Sequence, residues 1–168
     1  MYGLQLSKNK KAQALQSLTT TSPREVEARV LSSLESILNY KEELNPDFSV
    51  RGYKLVSKPK ADELEKALNV MAFAMTPMPQ EHMEQELLKC MMVMVKPSQE
   101  TKEDIAMRIR LIARGLSDYP ADIFLYAVKS VSHTKTFFPS LSEFRDAGEW
   151  RYQKRVKLLD MIQNATKR

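Results

Sequence analysis

The chain has 168 residues, of which 43% are hydrophobic and 28% charged, with a formal net charge of +5. A chain of this length buries a core without disulfides or structural metal, and its one cysteine, Cys90, excludes an intramolecular disulfide and fits a reducing cytoplasm. Four glycines and ten methionines favour helix over sheet, and the longest apolar run, Cys90–Val95, is far too short to span a bilayer.

The first stretch, Leu4–Thr19, is polar and basic and does not read as a signal peptide. A weak helix is expected over roughly Lys8–Leu18, with only Ala12, Leu15 and Leu18 on an apolar side. The β-branched run Thr19-Thr20-Thr21 then disfavours helix. Residues 1–21 therefore read as a basic arm, loosely attached or ordered only on a partner, before a single helical domain over 22–168.

Ser22-Pro23-Arg24-Glu25 is a helix start, with a capping serine, proline in the first turn and a glutamate to complete the box. Val26, Val30, Leu34, Ile37 and Leu38 form one stripe, which predicts a helix to about Tyr40 or Leu44, ended by Asn45-Pro46-Asp47. Residues 45–59 are the least helical part. They read as an irregular or short extended segment, since a lone strand has no evident partner and no β-hairpin signal is found. Arg51, Lys54, Lys58 and Lys60 interleave there with Phe48 and Tyr53, one signature of single-strand nucleic-acid surfaces.

Lys60–Met75 and Gln80–Val95 are the next two predicted helices, separated by the break Thr76-Pro77-Met78-Pro79. Met83, Leu87, Cys90, Met91 and Met94 mark the buried side of the second. Met92 and Val93 widen its apolar surface nearly all round, which predicts a central helix touched on more than one side. The methionines read as core filler, with an adaptable binding groove as the alternative. Lys96-Pro97-Ser98 breaks the chain. Thr101 then caps a helix through Leu116, with Ile105, Ile109, Ile112 and Leu116 inside and Arg108, Arg110 and Arg114 outside.

The clearest punctuation lies in Leu116–Arg145. Tyr119-Pro120 starts a helix whose Ile123, Phe124, Ala127, Val128 and Val131 form one face. Phe138 is extended because a proline follows it, and Ser140 with Glu143 has capping-box spacing, so the last helix starts at about Leu141. Phe137 and Phe138 are both expected to plug into the core. The last helix runs to about Asn164 along Leu141, Phe144, Gly148, Tyr152, Val156 and Leu159. Gly148 permits a close helix approach or a slight bend. Trp150 falls off that stripe, and an exposed tryptophan leaves room for a dimer.

The fold class these elements imply is all-α: a compact bundle of about five to six helices with an irregular or extended segment near 45–59 and a long C-terminal helix.

The chain holds no G-x-x-x-x-G-K-[ST] and no G-x-G-x-x-G phosphate loop. His82 and His133 are far apart in sequence, and one cysteine cannot build a zinc site. His82 and Cys90 stand eight residues apart, about two helical turns or roughly 12 Å, too far for a nucleophile–base pair. No catalytic residue, cofactor or metal is assigned, and a non-enzyme is expected. Both ends are basic around a mildly acidic middle, which points to an acidic protein face or nucleic acid as partner. Arg145, Trp150, Arg151, Lys154, Arg155 and Lys157 on the last helix are the candidate partner-binding residues. Lys8, Lys10, Lys11, Arg51 and Lys54 are the weaker candidates for nucleic acid.

The segments Asp118-Tyr119-Pro120-Ala121-Asp122, Ala127-Val128, Phe137-Phe138-Pro139-Ser140 and Glu143-Phe144-Arg145 resemble small phage-encoded replication proteins, in particular the phage replicative-helicase loader/inhibitor family, and the same layout recurs in prophage proteins of bacteria. The resemblance covers about residues 103–155. It implies a small helical protein in a bacterial host cell, without an ATPase site, that binds a replicative helicase or another replication protein. DNA is a second partner under this reading, and no membrane is involved. The alternatives are a sequence-nonspecific nucleic-acid-binding protein and a phage-encoded inhibitor of a host enzyme.

Overall fold

The computed structural model describes residues 5–95 and 99–167. Among these, the chain forms α1 (Lys8–Thr20), α2 (Pro23–Ile37), β1 (Tyr40–Leu44), β2 (Val50–Leu55), α3 (Ala61–Ala74), α4 (Gln80–Met92), α5 (Lys102–Gly115), α6 (Ala121–Thr134) and α7 (Leu141–Thr166). The architecture is all-α apart from one two-stranded sheet, with a long C-terminal helix, as the hydrophobic periodicity predicts. No helix among the described residues is long and apolar enough to cross a membrane.

Three helix starts close by reciprocal capping. Ser22, Thr101 and Ser140 each accept from the backbone N–H three residues on. Glu25, Asp104 and Glu143 each accept from the cap's own N–H, at 3.1, 3.0 and 2.9 Å. Each cap satisfies donors the helix cannot, and contributes about 1 kcal/mol.

Two helices organise the core. α6 buries seven residues, from Ala121 to Val131. α7 is 26 residues long and packs on α6, α3 and β2 at once. Gly148 makes the α6–α7 contact possible: a Cβ there would stand 2.8 Å from Tyr119 Cε2 and 3.0 Å from Ile123 Cγ2. The close-approach reading of that glycine therefore holds.

Four expectations are corrected. First, α1 is not a loosely attached arm. It packs on α6 and α3, and Ala14 and Leu18 are fully buried, because the i, i+4 pair is apolar enough to seat a short helix on an existing core. Second, α2 stops at Ile37, and the next residues pair as an antiparallel hairpin, Tyr40 with Leu55 and Glu42 with Tyr53. Tyr40 meets Tyr53 edge-on at 5.8 Å between centroids, and this cross-strand packing overrides the helix preference of Lys-Glu-Glu-Leu. Third, α4 is not central. Cys90 and Met91 are buried on one side, yet Leu88, Met92, Val93 and Val95 are exposed. Fourth, the two rings of Phe-Phe-Pro part: Phe138 is buried against Phe144, while Phe137 is 64% exposed. Successive residues of an extended segment point to opposite sides, so only one ring of the pair can face the core.

Candidate functional site

The basic residues of α7 were the leading partner-binding candidates, and the fold uses nearly all of them. Arg155 is 2% exposed. It donates to Ala74 O at 2.7 Å, to Asp122 Oδ1 at 2.9 Å and also to Asp122 Oδ2. Ala74 is the last residue of α3, so its carbonyl lacks a partner within that helix. Asp122 lies in the first turn of α6, where the helix end favours an acid. One guanidinium thus ties the C-terminus of α3, the N-terminus of α6 and the middle of α7. Arg155 is corrected from a docking residue to a buried knot. A bidentate fork suits this place and a lysine does not.

Arg145 repeats the device ten residues earlier. It donates to Gly115 O, the last residue of α5, at 2.6 Å and to Asp118 at 3.0 Å, and it lies 5.3 Å from the Tyr119 ring centroid. Tyr119 is buried beneath it, and its hydroxyl donates to Glu149 at 2.6 Å and lies 3.0 Å from the Arg145 carbonyl. Burial, and then the Glu149 carboxylate, push that hydroxyl's pKa far above the usual tyrosine range.

Arg151 and Lys154 both pair with Glu27 of α2, Arg151 at 3.2 Å. Lys157 donates to Val50 O at 2.7 Å and so pins β2 to α7. Trp150 alone of the set is exposed, with the Arg151 guanidinium 4.1 Å from its ring centroid. Of the six predicted partner residues, then, one is buried and four are bonded within the fold, so a basic docking face on α7 is not what these contacts build.

The weaker candidates fare differently. Lys8, Lys10 and Lys11 lie exposed at the start of α1, and Arg51 and Lys54 lie exposed on β2. No ion pair among the described residues engages any of these five. Of the two rings interleaved with the hairpin cations, Tyr53 is buried and Phe48 is exposed.

An apolar surface that sequence reasoning assigned to the core lies elsewhere. At the end of α4, Met92 and Val93 are 70% and 78% exposed. Val95 follows and bridges Phe137 in parallel, its N–H donating to Thr136 O at 3.0 Å. Val93 also borders an open groove of about 380 Å³ between α4 and α6, with Cys90, Leu125 and Val128 on its apolar floor and Lys89 and Lys129 on its rim. The Cys90 thiol is pushed up by burial, and its Sγ lies 3.5 Å from Met94 Sδ, so it is a packed group. Among the described residues no cluster of three His, Cys, Asp or Glu side chains could hold a metal ion. The continuous apolar run Cys90–Val95 was the available signal for this patch. The missing information was where α4 ends.

Comparison with protein-family models, with curated proteins and with solved structures gives no match.

Proposed function

We propose that the protein is a non-enzymatic adaptor of a phage-type replication system that binds a replicative helicase, as loader or inhibitor. The resemblance over about residues 103–155 is the starting point. Most of the residues that carry it have folding jobs: Tyr119 and Phe144 fill the core, Asp122 holds Arg155, Arg145 caps α5, and Ser140 with Glu143 caps α7. Phe137 is the large apolar residue of that motif left in solvent, and this is the observation that carries the reading. Its backbone bridges Val95, which is itself exposed, and Met92 and Val93 just before it in the chain are exposed as well, Val93 at the α4–α6 groove. A contiguous exposed apolar patch with a charged rim is the usual signature of a protein-binding site.

The test is co-purification of the protein with the host replicative helicase at low salt, for wild type and for Phe137→Glu with Val93→Glu. The reading expects a complex with wild type and none with the double variant, whose circular dichroism stays native. No complex with wild type, together with unchanged helicase activity, overturns it.

A further inference from the structure

The β1–β2 hairpin carries three features that its own stability does not call for. The first is its tip. Phe48 N–H donates to Asn45 O at 2.9 Å, and Asn45 N–H donates to Ser49 O at 2.9 Å, closing a turn whose second residue is Pro46. Glycine is favoured at the fourth position of such a turn. Here that position is Phe48, with φ at 63°. A bulky residue in the left-handed region carries a backbone cost. The ring does not recover it by packing, because it is 83% exposed. The turn is held firmly nonetheless. Asn45 Nδ2 donates to Ser49 Oγ at 2.9 Å, and Ser49 donates to Asp47 Oδ1 from its N–H at 3.0 Å and from its hydroxyl at 2.6 Å.

The second feature is the outer face. The pairing sets Lys41 directly opposite Lys54, and like charges in that position destabilise a hairpin. Beside them Glu43 faces Gly52, where an added Cβ would meet nothing within 4 Å, so this face is open to solvent. The third is the register shift between Glu43 and Leu44, which leaves Arg51 as the extra residue of a bulge. Bulges re-aim a side chain, and Arg51 is exposed. No ion pair among the described residues engages Lys41, Arg51 or Lys54.

We propose that this hairpin is a binding site for single-stranded nucleic acid: Phe48 stacks on a base, and Lys41, Arg51 and Lys54 contact the phosphates. A solvent-facing ring at the tip, with unpaired cations along the strand that leads from it, is the combination of groups such strands bind, with stacking tolerant of sequence and cations following the backbone. On the outer face Lys41 and Lys54 outnumber Glu43, and Arg51 at the bulge adds an exposed third cation, which favours a polyanion over an apolar protein pocket. A duplex offers no free base face to the ring. Tyr53 is buried and cannot add a second platform, so the site is short. From Val50 to Lys54 the strand spans roughly 13 Å, room for a few nucleotides. The proposal goes beyond helicase binding and needs no helicase.

The experiment is fluorescence anisotropy of the purified full chain with a labelled 20-mer of deoxythymidine and with a 20-base-pair duplex, at two salt concentrations. The expected result is tighter binding to the single strand, with log affinity against log salt falling at a slope of about −2 for three neutralised phosphates. Phe48→Asn, which keeps a residue that accepts the left-handed conformation, should leave the melting temperature unchanged or raised and weaken single-strand binding roughly tenfold. Lys41→Glu with Lys54→Glu should abolish it. Replacing Lys8, Lys10 and Lys11 by glutamine should leave it nearly intact. The proposal is overturned by no single-strand binding at the lower salt, by preference for the duplex, by full affinity in Phe48→Asn, or by loss confined to the α1 lysine variant.

Discussion

Arg155 of α7 and Arg51 of β2 carry the same guanidinium, and the fold treats them in opposite ways. Arg155 is 2% exposed and bonded to Asp122 and Ala74, while Arg51 stands in solvent at a bulge. The contrast extends to their neighbours. Arg145, Arg151, Lys154 and Lys157 each bond to another element, whereas Lys41 and Lys54 face one another and no ion pair among the described residues engages either. Charge counted along the chain marks the α7 end as basic and leaves the hairpin, with Lys41, Arg51 and Lys54 against Glu42, Glu43 and Asp47, neutral. What separates a structural cation from an available one is whether a helix end or a carboxylate meets it in three dimensions.

The largest expected effect breaks the structural side of this contrast. Arg155→Met strands the buried Asp122 carboxylate and should cost about 3–5 kcal/mol. For a chain of this size that lowers the melting temperature by roughly 10 °C or more. Adding Asp122→Leu should restore most of the loss, and a denaturant-unfolding double-mutant cycle reads the coupling. Equal losses in the single and double variants would show that packing, and not the pair, holds this junction.

Next is the helix contact that brings Tyr119 and Arg145 together. Gly148→Ala forces a Cβ to 2.8 Å from the Tyr119 ring and should cost about 1–3 kcal/mol by chemical denaturation.

The capping acids give a pH dependence. A hydrogen-bonded Lys135 ammonium, and then the Ser140 backbone and hydroxyl, hold the Glu143 carboxyl down at about 2, and the Ser22 and Thr101 caps likewise lower Glu25 and Asp104. A folded pKa below the unfolded one gives stability that is fully present above the ordinary value of 4.5 and is lost as pH falls towards about 2. Melting temperature should therefore fall across that window. Glu143→Gln, which is less stable at neutral pH, should show a shallower fall.

The smallest effect belongs to the hairpin. Lys54→Gln should change unfolding free energy by less than about 0.5 kcal/mol, or raise it slightly, because it removes a like-charged neighbour and no partner. A large loss there would erase the distinction between the two sets of cations.

How much of this was legible follows from where the information lies. Caps and periodicity are local, so the starts at Ser22, Thr101 and Ser140 and the stripe of α7 could be read directly. The hairpin could not be read so. Its tip, Asn45-Pro46-Asp47, was visible as a helix stop. Strand β1, however, is written in helix-favouring residues, and only Tyr53 across the sheet makes it a strand. The fate of Arg155 was hidden for the same reason: its partners lie 33 and 81 residues away. Among the candidate residues, Lys8, Lys10, Lys11, Arg51 and Lys54 are exposed, as surface contacts require. The cations of the α7 set fail that test because helix ends, the Glu27 carboxylate and the Val50 carbonyl elsewhere in the chain hold them, and Trp150 alone of that set is exposed.

The most direct test of the contrast is amine labelling of the native protein with a small acylating reagent, read residue by residue by mass spectrometry. The fold as described predicts that Lys41 and Lys54 label as fast in the native protein as in the unfolded chain, while Lys154, held on Glu27, and Lys157, held on Val50 O, are protected until unfolding. Equal native rates at all four lysines would contradict it.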